Sequence, residues 1–210
     1  MQSPQRPYVP EPALRRLPWY LASVQRLRAQ GVEYVSSTAI SKLLNVDASQ
    51  IAKDLSYLNI KGKTRIGYEV AELEQGLNDF LGFHERHRAV MMGVGSLGRA
   101  LITDSGLSRY GLEIVAGFDV NPEVIGTEIG GTPIYDISEL KDRRAELGAD
   151  IAIIAVPVEN AAEVADLCVA AGIKALWNFT PFHIKTSPEI TIQNTSIYAH
   201  LAVMYNRLSQ

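Results

Sequence analysis

Apolar residues near the start of the chain recur at the spacing of an α-helix. One face of this predicted helix carries Leu17, Leu21, Val24 and Leu27. Pro18 should kink the helix or mark its true start, and Gly31 is suited to end it. Two shorter periodic runs follow, STAISKLL and ASQIAKDLSYL, with the dipeptide NV between them. Ser36 or Ser37 can cap the first run and Asp47 the second, so the pattern predicts a helix-turn-helix.

The segment after the second short helix, NIKGKTRIGYEV, predicts two short strands joined by a basic turn at Gly62. A helix-turn-helix followed by a basic hairpin is the order of elements in a winged helix. Its second helix would lie in the major groove of DNA, with polar side chains near base edges and phosphates. The candidate DNA-binding residues are Ser36, Ser37, Ser49, Gln50, Lys53, Tyr57, Lys61, Lys63 and Arg65. The alternative interpretation of the hairpin is an ordinary surface turn with solvated lysines.

The apolar pattern changes after residue 88 to short continuous runs of the kind that form buried parallel strands. Strands are predicted at Ala89–Met92 and in LEIVAGFDV, DIAIIAVP and IKALWNFTP, and helical segments alternate with them. One of these helices is predicted from Arg99 to Arg109. The alternation is typical of a doubly wound α/β fold of the Rossmann type with a parallel sheet.

A glycine motif, G-x-G-x-x-G, joins the first of these strands to the next helix. It consists of Gly93, Val94, Gly95, Ser96, Leu97 and Gly98. The first glycine permits the tight turn, the second lets a pyrophosphate come close, and the third lets the helix pack on the strand. Asp119 ends the second strand, where an acidic residue binds ribose hydroxyls. No Lys or Arg lies in DVNPEVIG, so the motif predicts NAD rather than NADP.

Ligands in such sheets bind at the carboxyl ends of the strands. Two further groups of residues fall there, Val156 and Pro157 after one strand, and Asn178, Phe179 and Thr180 after the next. We expect these loops to face the nicotinamide end of the ligand. For each loop residue taken alone, an ordinary strand terminus is the alternative interpretation.

The last segment, SIYAHLAVMYNRLSQ, predicts a terminal helix with a wide apolar face that must be covered by its own domain or by a second subunit. The predicted domain organisation follows from these elements. It comprises a flexible tail at 1–11, a winged helix at 12–70, a connecting helix at 71–87, a nucleotide-binding domain at 88–193 and a dimerisation helix at 194–210.

Charge is divided unevenly along the chain. Residues 1–65 carry 10 Lys and Arg against 4 Asp and Glu, whereas residues 66–210 carry 10 against 19. This asymmetry favours a basic module that meets a polyanion and an acidic module that does not. No apolar run approaches the roughly 20 residues of a membrane span, and the N-terminus lacks the apolar core of a signal peptide. The lone Cys168 rules out a disulfide within the chain and favours the cytoplasm.

No set of residues for catalysis is recognisable in the sequence, and no metal site is predicted. His84, Glu85 and His87 have a spacing that is more typical of a solvated surface than of metal ligands. His183 lies in a loop, and Cys168 lies in an apolar helix as a small core residue would.

Taken together, the motifs resemble the Rex redox-sensing transcriptional repressors from about Leu14 to Leu208. The resemblance is carried by ASQIAKDLSYL, GKTRIGYEV, GVGSLGRAL, GFDVNPEVIG, DIAIIAVP and NFTP. It implies an N-terminal winged helix, a C-terminal Rossmann domain that binds NADH and NAD+ competitively, and a homodimer with an exchanged C-terminal helix. It also implies that residues 93–98 hold the pyrophosphate, that Asp119 binds the adenosine ribose and that NADH releases operator DNA. Many relatives carry Arg where this chain has Ala52, and Ala where it has Thr180.

The sequence therefore predicts a cytoplasmic repressor of transcription, not an enzyme and not membrane-bound, that senses the ratio of NADH to NAD+. Its partners are double-stranded operator DNA and a second copy of the chain. Three alternatives remain open from the residues alone. One is an NAD-dependent dehydrogenase with an accessory N-terminal domain, the second is a protein that binds CoA or another nucleotide, and the third is an α/β protein that only makes protein contacts.

Overall fold

The computed structural model describes residues 9–58 and 60–209 of the chain. The chain divides into two compact units, Met1–His84 and Glu85–Gln210. Of the predicted tail, residues 1–8 lie outside the described part. Val9 is buried and Glu11 begins the first helix.

The N-terminal unit contains the predicted helix-turn-helix. Its elements are α1 (Glu11–Ala29), β1 (Tyr34–Val35), α2 (Ser37–Leu44), α3 (Ala48–Ser56), β2 (Tyr68–Glu69) and α4 (Val70–Leu81). The Ser36 hydroxyl caps α2 by accepting from a backbone N–H in its first turn. The Asp47 carboxylate caps α3 in the same way, by accepting from the N–H groups of Ser49 and Gln50. The two caps confirm the helix starts that the sequence predicts.

The first helix continues through Pro18. It begins at Glu11, so the expectation that Pro18 could mark its start is wrong. Proline removes one hydrogen bond and crowds the preceding turn. Burial of neighbouring side chains outweighs this cost, because Leu17 and Tyr20 are fully buried on either side of Pro18.

All the helices of this unit contribute to one apolar core. Its buried members are Leu17, Tyr20, Leu21, Val24, Val35, Ile40, Ile51, Leu55, Val70, Leu73 and Leu77. Leu73 and Leu77 belong to α4, in the range 71–87 for which the sequence predicts a connecting helix. The helix therefore packs as part of the N-terminal unit, and β2, which leads directly into it, pairs with β1.

The C-terminal unit alternates strands and helices. Its elements are β3 (His87–Met92), α5 (Ser96–Thr103), α6 (Ser105–Arg109), β4 (Leu112–Asp119), β5 (Glu128–Ile129), β6 (Thr132–Asp136), α7 (Leu140–Leu147), β7 (Ile151–Ile154), α8 (Ala161–Ala170), β8 (Ala175–Asn178), β9 (Thr191–Asn194) and α9 (Ile197–Leu208). The helix predicted over 99–109 is two helices. Asp104 has extended backbone, and its carboxylate accepts from the N–H of Leu107 at 3.0 Å, which starts a new helix.

Seven strands form one sheet in the order β5-β6-β4-β3-β7-β8-β9. All neighbouring pairs are parallel except β5 with β6. The predicted doubly wound parallel sheet is thus confirmed. β3 lies between β4 and β7, so the direction of winding reverses beside β3, and a crevice is expected at the carboxyl ends of these strands.

The interior of the sheet explains the continuous apolar runs in the sequence. The stretch Ala89–Met92 of β3 is fully buried, as are Ala152, Ile153 and Ile154 of β7. Cys168 on α8 is also completely buried in this core. Burial raises the pKa of its thiol to about 12, so the thiol remains protonated at neutral pH.

The terminal helix α9 has no buried residue among those described. Tyr198, Met204, Tyr205 and Leu208 each expose more than half of their surface. The sequence predicts that this apolar helix is covered, and a single chain leaves it uncovered. Within the described residues, every helix is too short or too polar to cross a bilayer.

Candidate dinucleotide site and nucleic-acid interface

The glycine motif forms the turn between β3 and α5. Gly93 has a φ of 88°, and a Cβ there would lie 2.8 Å from the carbonyl oxygen of Ala155. A Cβ on Gly98 would lie 2.1 Å from the carbonyl oxygen of Gly93. Only glycine fits either position without moving the backbone. The helix begins directly after Gly95 and has no side-chain cap, so its first N–H groups are suited to an anion.

Asp119 ties the end of β4 to the glycine turn. Its Oδ2 accepts from the N–H of Val94 at 2.7 Å, and its Oδ1 accepts from the N–H groups of Val120 and Asn121 at 2.8 and 2.9 Å. A carboxylate can accept about four hydrogen bonds, so Oδ2 can still accept one from a ribose hydroxyl. Asp119 therefore shapes the turn in addition to the ligand contact predicted for it.

A cavity of about 360 Å³ lies at the carboxyl ends of β3, β4 and β7. It is lined by Gly93, Gly95, Phe118, Asp119, Val120, Ile137, Ala155, Val156, Pro157, Asn160, Glu163, Val164 and Leu167. The cavity brings together five of the predicted ligand-binding residues, which are Gly93, Gly95, Asp119, Val156 and Pro157. Val94 is buried beneath the turn, and the remaining residues of the motif, Ser96 to Gly98, form the first turn of α5.

One wall of the cavity was not predicted from the sequence. Asn160, Glu163, Val164 and Leu167 come from the beginning of α8 and the turn before it. Their spacing places them on one helical face directly after Val156 and Pro157, and this signal is visible in the sequence. Among the described residues that line the cavity, the ionisable ones are Asp119 and Glu163, both acidic.

The structure places the Asn178 loop outside the lining of this cavity. Asn178 is fully buried, and its amide donates to the carbonyl of Phe182 at 2.7 Å and to Oδ1 of Asn194 at 2.8 Å. Its Oδ1 accepts from the N–H and hydroxyl of Thr180 at 2.9 and 2.8 Å. Phe179 packs on Trp177, with ring centroids 4.7 Å apart. These bonds build the turn after β8, and a role of the loop at the nicotinamide stays a prediction.

The predicted recognition helix α3 presents part of its polar face to solvent. Ser49 and Lys53 are exposed, and Gln50 and Tyr57 are partly exposed. The Ser49 hydroxyl donates to the Asp47 carboxylate, so Ser49 also supports the helix start. Ser36 serves chiefly as the cap of α2, and Ser37 is the first residue of that helix.

A buried ionic group on α3 escaped the sequence prediction. Asp54 is 1% exposed, and its carboxylate accepts from two nitrogens of Arg16, from the Tyr20 hydroxyl and from Nε2 of Gln50. Burial alone would raise the pKa of Asp54, but the bonds from Arg16, Tyr20 and Gln50 outweigh it and hold the pKa below its usual value. Arg16 and Asp54 are 38 residues apart, so periodicity gives no sign of their pairing.

The prediction of two short strands around the basic turn is wrong for the described residues, because β2 pairs with β1 and the segment before it forms only a single bridge, between Lys63 and Gly67. The basic segment turns at Thr64 to Ile66. Lys63 and Gly67 exchange two backbone hydrogen bonds, of 2.7 and 2.9 Å, across this turn. The ammonium group of Lys63 donates to the Tyr34 hydroxyl at 3.0 Å, which raises the pKa of Lys63. The turn that the sequence assigns to Gly62 is therefore shifted, and the left-handed conformations fall at Arg65 and Gly67, with φ of 65° and 103°.

Arg65 supplies a specific test of the hairpin, because an arginine is strained in the left-handed conformation. We expect Arg65→Ala and Arg65→Gly to weaken DNA binding equally, because both remove the charge. Each should lower the slope of log affinity against log salt by about 1. Arg65→Gly should be more stable than Arg65→Ala by about 1 kcal/mol, since only glycine is free of the strain. Salt-dependent binding and thermal unfolding measure the two effects, and equal stability of the two variants would contradict the conformation.

Two protein-family models match the chain. One, described as "CoA binding domain", covers residues 84–182. The other, described as "Putative DNA-binding protein N-terminus", covers residues 8–56. The first includes the whole cavity, and the second includes α1, α2 and α3.

Curated relatives align with nearly the whole chain. A protein of Bacteroides fragilis named redox-sensing transcriptional repressor Rex is 59% identical over 201 residues, which are 96% of this chain and 91% of the relative. A protein of the same name from Treponema denticola is 39% identical and covers 93% of this chain and 94% of its own length.

Solved structures of one protein, RSP, share the fold over the same extent. The crystal structure of RSP with beta-NAD+ and operator DNA superimposes with a TM-score of 0.92 at 32% identity, covering 96% of this chain and 93% of that one. The crystal structure of RSP with beta-NADH gives a TM-score of 0.87 at the same identity, covering 96% and 95%.

Proposed function

The chain belongs to the Rex family of redox-sensing transcriptional repressors, and we propose that NADH bound in its C-terminal cavity releases a homodimer from operator DNA. It is a DNA-binding repressor and not an enzyme, as its relatives' shared name indicates. In this proposal residues 12–70 bind DNA, residues 88–193 bind the nucleotide and residues 194–210 join the subunits. The protein acts in the cytoplasm, where both the nucleotide and the operator are present.

The observation that carries the proposal is the acidic cavity beside an uncapped helix start. The N–H groups at the start of α5 suit the pyrophosphate, and Asp119 suits ribose hydroxyls. NADP and CoA both carry an additional phosphate on the adenosine ribose. Asp119 and Glu163 would repel that phosphate, and the described lining contains no Lys or Arg to offset them. NADH and NAD+ are therefore favoured over CoA, in spite of the description of the matching family model.

Regulation requires that the protein discriminates the two redox forms. A ligand with equal affinity for two states shifts nothing, so NADH and NAD+ must favour different arrangements of the dimer. In one arrangement the two α3 helices would lie about 34 Å apart, one turn of DNA, and reach successive major grooves. In the other arrangement this spacing is lost and the operator is released.

The exposed terminal helix supports the homodimer. Most of its large apolar side chains lie on one arc of α9, made of Ile197, Tyr198, Leu201, Met204, Tyr205 and Leu208, and Val203 is exposed outside this arc. Exposure of such an arc to water is unfavourable, and a two-fold partner that lends its own α9 would cover it. We propose that the helices are exchanged between the two subunits.

The proposal is tested with the full-length protein and a DNA duplex selected from a randomised library. Intrinsic fluorescence of NADH should change on binding, whereas NADPH and CoA should compete weakly. NADH should displace the labelled duplex from the protein, and NAD+ at the same concentration should leave it bound. Equal displacement by NADH and NAD+ would refute redox sensing through this cavity, and tighter binding of CoA would favour the second candidate ligand.

A further inference from the structure

We infer that Asp54 is a positioning residue that aims Gln50 at the edge of an adenine in the major groove. The inference rests on the proposed function in one respect, which is that α3 lies in the major groove of DNA. Nothing in the helix-turn-helix pattern assigns a role to Asp54, because its side chain points into the protein and away from DNA. Its effect on recognition would pass through Gln50.

The Asp54 carboxylate accepts three hydrogen bonds from side chains of α1. Arg16 donates through Nε to Oδ2 at 2.7 Å and through its terminal nitrogen to Oδ1 at 2.9 Å. The Tyr20 hydroxyl donates to Oδ2 at 2.7 Å. Both donors belong to α1, so the carboxylate fastens the recognition helix to α1. A two-pronged guanidinium contact also fixes the plane of the carboxylate.

The fourth hydrogen bond orients Gln50. Its Nε2 donates to Oδ1 of Asp54 at 2.7 Å, one helical turn along α3. An ionised carboxylate can only accept, so the amide must turn its NH2 group toward Asp54. One N–H and the carbonyl oxygen of Gln50 remain for another partner. A glutamine amide pairs with adenine by donating to N7 and accepting from the N6 amino group, and these are the groups that remain.

This arrangement separates base reading from phosphate binding on one helix. Gln50 is partly buried and held by Asp54 before DNA arrives, so little rotamer freedom is lost on binding. Lys53 is exposed on the same helix and presents a mobile point charge. Lys53 is thus suited to phosphate, which carries no sequence information, and Gln50 to one base pair in each half-site.

The experiment measures base preference, not affinity alone. The full-length protein with NAD+ selects its preferred duplex from a library with a core of about 20 randomised base pairs, two turns of DNA. Competition then compares that duplex with each single base-pair substitution. The variants are Gln50→Ala, Asp54→Asn and Gln50→Ala with Asp54→Asn. The matched control is Tyr20→Phe, which removes one hydrogen bond to Asp54 and leaves Gln50 untouched.

We expect the wild-type chain to prefer A·T at one base pair of each half-site by roughly 5- to 100-fold. Gln50→Ala should remove that preference and leave the preferences at other positions in place. Asp54→Asn should reduce it too, and the double variant should match Gln50→Ala, because the two residues act as one unit. Tyr20→Phe should keep the preference. If Asp54 only stabilised the fold, Asp54→Asn would lower the affinity for every duplex by the same factor.

Two results would overturn the inference. One is unchanged preference at every base pair in Gln50→Ala, and the other is full preference in a folded Asp54→Asn. Circular dichroism establishes folding, and if Asp54→Asn does not fold, Arg16→Lys replaces it, since lysine keeps the charge but cannot hold both carboxylate oxygens. If either of these two results is found while the wild-type chain still binds its operator tightly, only the inference fails and the proposed function stands. Failure of the wild-type chain to select any duplex would instead refute the proposed function.

Discussion

Replacing Gly95 with alanine is expected to weaken NADH binding roughly 10- to 100-fold and to leave the stability of the protein unchanged. A Cβ at Gly95 has no heavy atom of the protein within 4 Å, and its backbone, with φ of −66°, suits any residue. The added methyl group would enter the space above the start of α5, where the pyrophosphate must approach. Overpacking of this kind costs about 1–3 kcal/mol. Here the cost lowers the binding free energy of NADH and leaves the free protein unaffected.

Gly98→Ala provides the contrast. Its Cβ would lie 2.1 Å from the carbonyl oxygen of Gly93, so the free protein itself must deform and we expect it to melt at a lower temperature. NADH fluorescence titration and thermal unfolding measure both variants. Gly95→Ala should also remain on the operator when NADH is added. Wild-type NADH affinity in Gly95→Ala would show that the pyrophosphate does not cross this residue.

Met204→Glu is expected to separate the subunits and to weaken operator binding by about 10²- to 10⁴-fold. Met204 belongs to the apolar arc of α9 and is 53% exposed in the single chain, and a carboxylate there would have to be buried in the proposed dimer contact. The mass in solution should fall from twice the chain mass of 23.1 kDa to the single mass. The loss of affinity follows because one recognition helix then binds without its linked partner.

Ala199→Glu is the matched control for this prediction. Ala199 is exposed in the first turn of α9, on the face opposite the apolar arc, and a negative charge near a helix start is favourable. This variant should remain dimeric and bind the operator normally. Light scattering and operator titration measure both proteins. A dimeric Met204→Glu would show that α9 does not carry the contact between subunits.

Much of the nucleotide-binding half could be predicted because its signals are local. The glycine turn, the apolar strands and the acid after β4 each depend on residues close in sequence, and the structure brings Gly93, Gly95 and Asp119 to one cavity. The exact hydrogen bonds of Asp119 could not be predicted, because they depend on the distance between two strand ends that only the packed sheet defines.

The features that the sequence did not predict depend on contacts between segments distant in sequence or on the local backbone conformation at a single residue. Arg16 meets Asp54 only because the folded unit brings these side chains of α1 and α3 together, and nothing in either segment alone requires it. The sequence assigns Asn178 to the ligand site because it ends a strand. In the structure its side-chain amide is instead hydrogen-bonded within the turn that follows. Asp104 divides one predicted helix into two because its side chain can cap a new one. These cases share a polar side chain whose partner the sequence pattern does not reveal.

The burial of Cys168 limits the kind of chemistry to which this repressor can respond. Peroxide and other oxidants attack cysteine as the thiolate, and this sulfur is enclosed by the sheet and protonated. The chain has no second cysteine with which it could form an internal disulfide. Direct oxidation of this thiol is therefore disfavoured, and purified samples should keep their activity in air without a thiol reductant.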